Sequence, residues 1–189
     1  MVAGRGELLV VDVEATCWEG STPPGQMSEI IEIGLCLFDV RTGTLSGKRA
    51  ILVRPQRSKV SVFCTQLTTL TQEQVDGGIR FDEACAILED EYDARNRLWA
   101  SWGAYDRTMF QSQCQSFEVR YPFGERHLNT KQLFADLRGH RPVGMQRALQ
   151  MTDLSLEGTH HRGHDDAWNI GRLLAYMRHH YGPDILPGT

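Results

Sequence analysis

The 189-residue chain is 41% hydrophobic and 23% charged, with 20 Lys+Arg against 24 Asp+Glu and a formal net charge of −4. That length suits one domain with a single sizeable core. The acidic balance excludes a protein that coats nucleic acid through bulk positive potential, but not an enzyme that touches a short stretch of it.

In chain order, residues 8–13 are a short β-rich apolar run, expected as a buried central strand. A polar loop with Pro23, Pro24 and Gly25 follows, then an apolar stretch over 30–40. Arg41-Thr42-Gly43 is a turn signal, and 44–53 reads as the returning strand of a hairpin. Residues 55–70 are expected as loop with a short helical turn, and 80–94 as a helix. A short strand over 98–102 is broken by Gly103, and a helix over 104–117 places Asp106, Phe110, Cys114 and Phe117 in one stripe. Two short helices, 129–137 and 144–150, flank Pro142. A last helix runs from about 165 to 180, with Ala167, Ile170, Leu174 and Met177 inward. This order predicts an α/β domain spanning 1–189, a mixed sheet with helices on its faces.

No apolar run approaches the ~18 residues a membrane span needs, and the run 8–11 is cut short by Asp12 and Glu14, so no secretory signal is expected. Five scattered cysteines without a C-x-x-C pair fit reduced thiols, hence a cytoplasmic protein. Charge is unevenly spread. Eight acids and one base lie between Glu73 and Asp93, and six bases and no acid between Arg41 and Lys59. The acidic block reads as the solvated face of a helix whose inner side carries Phe81, Cys85, Leu88 and Tyr92. The basic block protects an edge strand from pairing, or offers a strip to a nucleic acid.

Asp12 and Glu14 end the first strand two residues apart, so both side chains leave the same face. Two like charges there repel, and each is costly to desolvate alone. A divalent cation resolves this, since oxygen ligands suit Mg²⁺ or Mn²⁺; a helix cap or an Arg pair is the alternative. Asp106 opens the helix after the second short strand run, on the stripe that faces the sheet, although Asp is also favoured in any first helical turn. In His161-Arg162-Gly163-His164-Asp165-Asp166, Asp166 falls on the buried side of the last helix, and Asp165 points about 100° away as a cap or surface residue. His161 lies in the preceding loop, where an imidazole can take a proton from water. A dedicated zinc site at His160, His161 and His164 is not expected, because no cysteine is near.

The segments D-V-E-A-T-C-W (12–18), F-C-T-Q-L-T (63–68), S-W-G-A-Y-D (101–106) and L-E-G-T-H-H-R-G (156–163), with Asp166 beyond them, resemble the motifs of the DEDDh exonuclease superfamily. Within it they resemble the branch holding the Eri-1-type 3′–5′ RNA exonucleases and the bacterial KapD-type proteins. The resemblance covers roughly residues 8 to 178, and order, spacing and flanking context agree. Departures are Val13 where Phe is common, Thr69 for a frequent Gly, and Ala104 where an acid is common; none is a ligand.

The resemblance implies an RNase H-like fold, a central mixed five-stranded sheet with helices on both faces and the site at the carboxyl end of the first strand. It implies two Mg²⁺ or Mn²⁺ ions, with Asp12 bridging, Glu14 and Asp166 completing the water-activating site, Asp106 serving the other, and His161 as general base. Thr16, Cys17 and Trp18 are expected to contact the terminal nucleotide. The expected reaction is release of nucleoside 5′-monophosphates from 3′ ends of nucleic acid, RNA more than DNA. Two alternatives are an exonuclease-like binding module without turnover and a haloacid-dehalogenase-type phosphatase with Asp12 as nucleophile. The second wants an Asp where Glu14 stands.

Overall fold

The computed structural model describes residues 6–186. The expected domain 1–189 therefore has ends, 1–5 and 187–189, outside the described residues. Strand β1 (Glu7–Ala15) is apolar on both faces, as a central strand must be when helices cover both sides. It pairs antiparallel with β2 (Ile30–Asp39), which pairs antiparallel with β3 (Leu45–Leu52). On its other side β1 pairs parallel with β4 (Trp99–Ser101), and β4 parallel with β5 (His127–Asn129). The order is β3-β2-β1-β4-β5, the five-stranded mixed sheet that was expected.

Alternation along β1 divides the core. Leu9, Val11 and Val13 pack with Phe81, Trp99 and Phe110 on the side of α3 (Phe81–Asp90) and α4 (Tyr105–Phe117). Leu8 and Val10 pack with Phe134, Leu149, Ile170 and Leu174 on the side of α5 (Thr130–Arg138), α6 (Met145–Met151) and α7 (Gly163–Tyr181). Asp12 and Glu14 continue the Leu8/Val10 row, so the strand's two acids face α7.

The structure differs from the sequence reading in a few elements. Helix α1 (Val62–Thr68) is capped by Ser61, whose Oγ accepts the Cys64 N–H at 2.9 Å. Helix α2 (Gln72–Asp76) was not expected; a capping box between Thr71 and Gln74 holds its five residues. Helix α3 ends at Asp90, short of 94, because Asp93 takes φ 50 and Ala94 N–H turns back to Leu88 O. Helix α7 starts at Gly163, two residues before the expected 165.

The basic block runs from the β2–β3 turn along edge strand β3 into the loop beyond, and much of it is engaged. Lys48 Nζ meets Asp165 Oδ1 at 2.5 Å, Arg49 bonds Glu91 and Tyr92, and Arg57 stacks 4.4 Å over Phe117. That favours the edge-protecting role over an open strip for phosphates.

Candidate active site

Three elements bring the expected carboxylates together at the carboxyl end of β1. The register places Asp12 opposite Gly34 and Glu14 opposite Glu32. Gly34 is required there: a Cβ would stand 1.8 Å from the carbonyl carbon of Gly163, so only glycine lets the start of α7 rest on β2. That contact delivers Asp166, in the first turn of α7, to the strand acids. One oxygen each from Asp12, Glu14 and Asp166 lie within 4.8 Å of one another. Asp106, in the first turn of α4, is tied in by its Oδ1, which accepts the Val13 N–H at 2.9 Å. Glu14, Asp106 and Asp166 are buried.

His161 stands beside this cluster. Its N–H donates to Asp166 Oδ2 at 3.0 Å, and its ring stacks on His160 with centroids 3.9 Å apart. Its φ of 62 lies in the left-handed region, rare for a residue with a Cβ. His160, read from the sequence only as part of a histidine run, places Nδ1 2.9 Å from Asp166 Oδ2. Asp165 corrects the surface reading. It is buried, accepts the Thr159 N–H at 2.8 Å and pairs with Lys48, stapling the loop ahead of His161.

Crowding sets the electrostatics. Burial first, then Asp106, Glu14 and Asp166, hold the Asp12 carboxyl well above the usual carboxylate range. Burial pushes Glu14 up to about 8, reinforced by Asp166, Glu32 and Asp106 and opposed by Arg162. Asp106 is raised to about 6 because burial outweighs the Val13 hydrogen bond. Burial also raises Asp166, against the pull of His160. The His161 imidazole is held below its usual value, by burial and by His160, which favours the neutral, proton-accepting form. Converging carboxylates that resist ionising are the arrangement a divalent cation relieves, and an all-oxygen donor set suits hard cations. The residues present thus fit the ions that the family resemblance implies.

A cavity of about 390 Å³ opens over this cluster. Besides the acids and His161 it is lined by Cys17, Leu67, Trp102, Tyr105 and Met145, an apolar wall. A larger cleft of about 500 Å³ between α3 and the end of α4 holds none of these acids. Of the residues expected at the terminal nucleotide, Cys17 lines the cavity. Thr16 and Trp18 do not: Thr16 is fully buried, its Oγ1 donating to Met27 O and accepting the Glu29 N–H, and Trp18 is half-buried outside the cavity lining. Sequence reasoning missed Glu32, which bonds the segment 162–164. The available signal was one acid inside the apolar run of β2.

A mixed sheet whose central strand presents paired acids to two helix starts, with a neutral histidine alongside, defines a metal-dependent phosphodiester hydrolase of RNase H-like architecture. A model of the Exonuclease family (RNase_T) matches residues 9–174, and the chain belongs to that family as a 3′–5′ exonuclease of the DEDDh type. It is 29% identical to the 3′–5′ exonuclease Snipper of Drosophila melanogaster over 90% of this chain and 68% of the fly protein. It is 28% identical to human (Homo sapiens) 3′–5′ exoribonuclease 1 over 90% of this chain, and spans about half of that protein, 52%. The nuclease domain of 3′hExo, a DEDDh family member bound to rAMP, superposes with a TM-score of 0.85 at 26% identity, covering 93% of this chain and 92% of the other. DEDDh exonucleases depend on divalent metal. No helix among the described residues is long and apolar enough to cross a membrane.

Proposed function

We propose that this chain, folded as one domain over 1–189 and acting in the cytoplasm, removes nucleoside 5′-monophosphates from RNA 3′ ends. It does so with two Mg²⁺ or Mn²⁺ ions held by Asp12, Glu14, Asp106 and Asp166, and with His161 as general base. The observation that carries this is the meeting of Asp12, Glu14 and Asp166 oxygens within 4.8 Å beside His161. When bound, the ions supply charge neutralisation at the scissile phosphate and lower the pKa of attacking water. Asp12, crowded by both Asp106 and Glu14, would be the ligand shared between the ions, with Glu14, Asp166 and Asp106 completing the set. His161, neutral in its half-buried place, accepts the proton that water loses. Leu67, Trp102 and Tyr105 offer the terminal base an apolar wall, where stacking on an aromatic ring contributes about 1–3 kcal/mol. Cys17 also lines that wall, and Thr16, bonded to Met27 and Glu29, ties the backbone just before Cys17 to the segment 27–29. The human relative's name supports RNA as substrate.

The test is parallel digestion of 5′-labelled RNA, single-stranded DNA and duplexes with 3′ overhangs, in Mg²⁺, Mn²⁺ or EDTA. RNA shortened stepwise from its 3′ end, with 5′-monophosphates released and none in EDTA, is expected. His161→Ala and Asp12→Ala are expected to lose turnover, and titration calorimetry with Mn²⁺ should give two ions per chain. Activity in EDTA, or an undiminished His161→Ala, would overturn the assignment.

A further inference from the structure

We propose that Glu32 is a positioning residue for His161, resting on the reading of His161 as general base. It lies on β2 with no exposed surface, opposite Glu14. Its Oε2 accepts Arg162 Nε at 3.1 Å and the Gly163 N–H at 2.9 Å. Its Oε1 accepts Arg162 Nη2 at 3.2 Å and lies 2.9 Å from His164 Nδ1. All four contacts come from the three residues that follow His161. The Arg162 pair is bidentate, the geometry that fixes a guanidinium in orientation as well as distance.

The left-handed backbone of His161 explains why such anchoring is needed. A residue with a Cβ persists there only when its surroundings over-determine it. Asp166 supplies the anchor on one side, taking the His161 N–H and His160 Nδ1. Glu32 supplies the other, and Arg162 reaches on to Thr69 Oγ1 at the end of α1. His161 is thus stretched between two buried carboxylates, of which one is a metal ligand and the other is not. Glu32 has no place in the metal set: a carboxylate offers about four acceptor positions, and four donors already take them. Among the described residues the groups of converging ligand atoms include Asp12, Glu14 and Asp166 but not Glu32.

The division of labour is testable because, among the described residues, every side-chain hydrogen bond of Glu32 falls on residues 162–164 and none on an acid of the metal set. Glu32→Gln keeps the size and one acceptor for Gly163 N–H while removing the charge facing Arg162 and His164. We expect kcat to fall by up to about 100-fold, the effect of misplacing a catalytic group by about 1 Å, with KM and the number of Mn²⁺ ions bound per chain unchanged. In a His161→Ala background the same substitution should cause no further loss. The ¹H–¹³Cε1 NMR signal of His161, assigned by its disappearance in His161→Ala, should shift in Glu32→Gln. Arg162→Lys, which keeps the charge but not the fork, should reproduce the kcat loss and the shift if Glu32→Gln folds poorly. A Glu32→Gln loss that recurs undiminished in the His161→Ala background, a loss confined to KM, or an unmoved His161 signal would each overturn the inference. Full turnover by His161→Ala with a signal that does shift would instead overturn the general-base assignment and leave Glu32 as the holder of that ring.

Discussion

Glu14 is ionised at neutral pH in an unfolded chain and resists ionisation in the folded one. Buried beside Asp166 and opposite Glu32, its carboxyl is pushed from the usual 4.5 up to about 8. Between those values the metal-free native state binds more protons than the unfolded state, so stability falls as pH rises through that window. Below about 4.5 the penalty is absent, and above about 8 it is complete. Asp12 pushes in the same direction. The melting temperature in EDTA should therefore drop from the lower to the upper end of this window, Glu14→Gln should flatten the drop, and Mn²⁺ at the alkaline end should reverse it. A wild-type melting temperature independent of pH in EDTA would contradict a buried, crowded carboxyl. At this scale the acids were legible because strand alternation and helix spacing constrain them. Glu32 was not, since nothing in β2 announces that its partners lie in a loop far along the chain. His160 was read as one of a run, and its contact with Asp166 depends on the turn that puts His161 at φ 62.

Elements meet here through backbone contact as much as through side chains. The start of α7 lies on β2 at Gly34, and Asp166 reaches the strand acids because nothing fills that space. Gly34→Ala should separate the two elements, reducing stability by about 1–3 kcal/mol as overpacked cores do and lowering activity together with metal affinity. Urea unfolding and Mn²⁺ titration check both, and an unchanged affinity would show that the approach of α7 does not set the ligand geometry. Long, strongly patterned elements such as β1, β2, α4 and α7 were readable from periodicity. The misses were short. α2 is defined by a capping box over five residues, and β5 by three residues that pair only because β4 is already in place. Strand order was not written in any local pattern; the family resemblance supplied the mixed five-stranded sheet, and the order β3-β2-β1-β4-β5 emerges only from the pairing in the fold.

For the whole molecule, a net charge of −4 fits an exonuclease whose grip, in the proposed reading, is confined to the site. Lys48, Arg49 and Arg57, half of the six bases in the basic block, are already held by the fold. Contacts with two or three phosphates of a single strand predict a log–log salt dependence of KM with slope magnitude about 1.4–2.1 at fixed metal concentration. A slope near 5 would require a broad cationic contact and would contradict a grip confined to the site. Composition made this legible in outline, while the location of the paired bases needed the fold. The carboxylates also come from distant parts of the chain: Asp12 and Glu14 on the first strand, Asp106 midway, Asp166 on the last long helix. During synthesis the first two acids leave the ribosome long before the fourth. A nascent chain that has formed only β1, β2 and β3 is a three-stranded meander without Asp106 or Asp166, so on the proposed assignment it lacks two of the four metal-binding acids. Onset of nuclease activity would thus report the arrival of α7 on the sheet and not formation of the sheet itself.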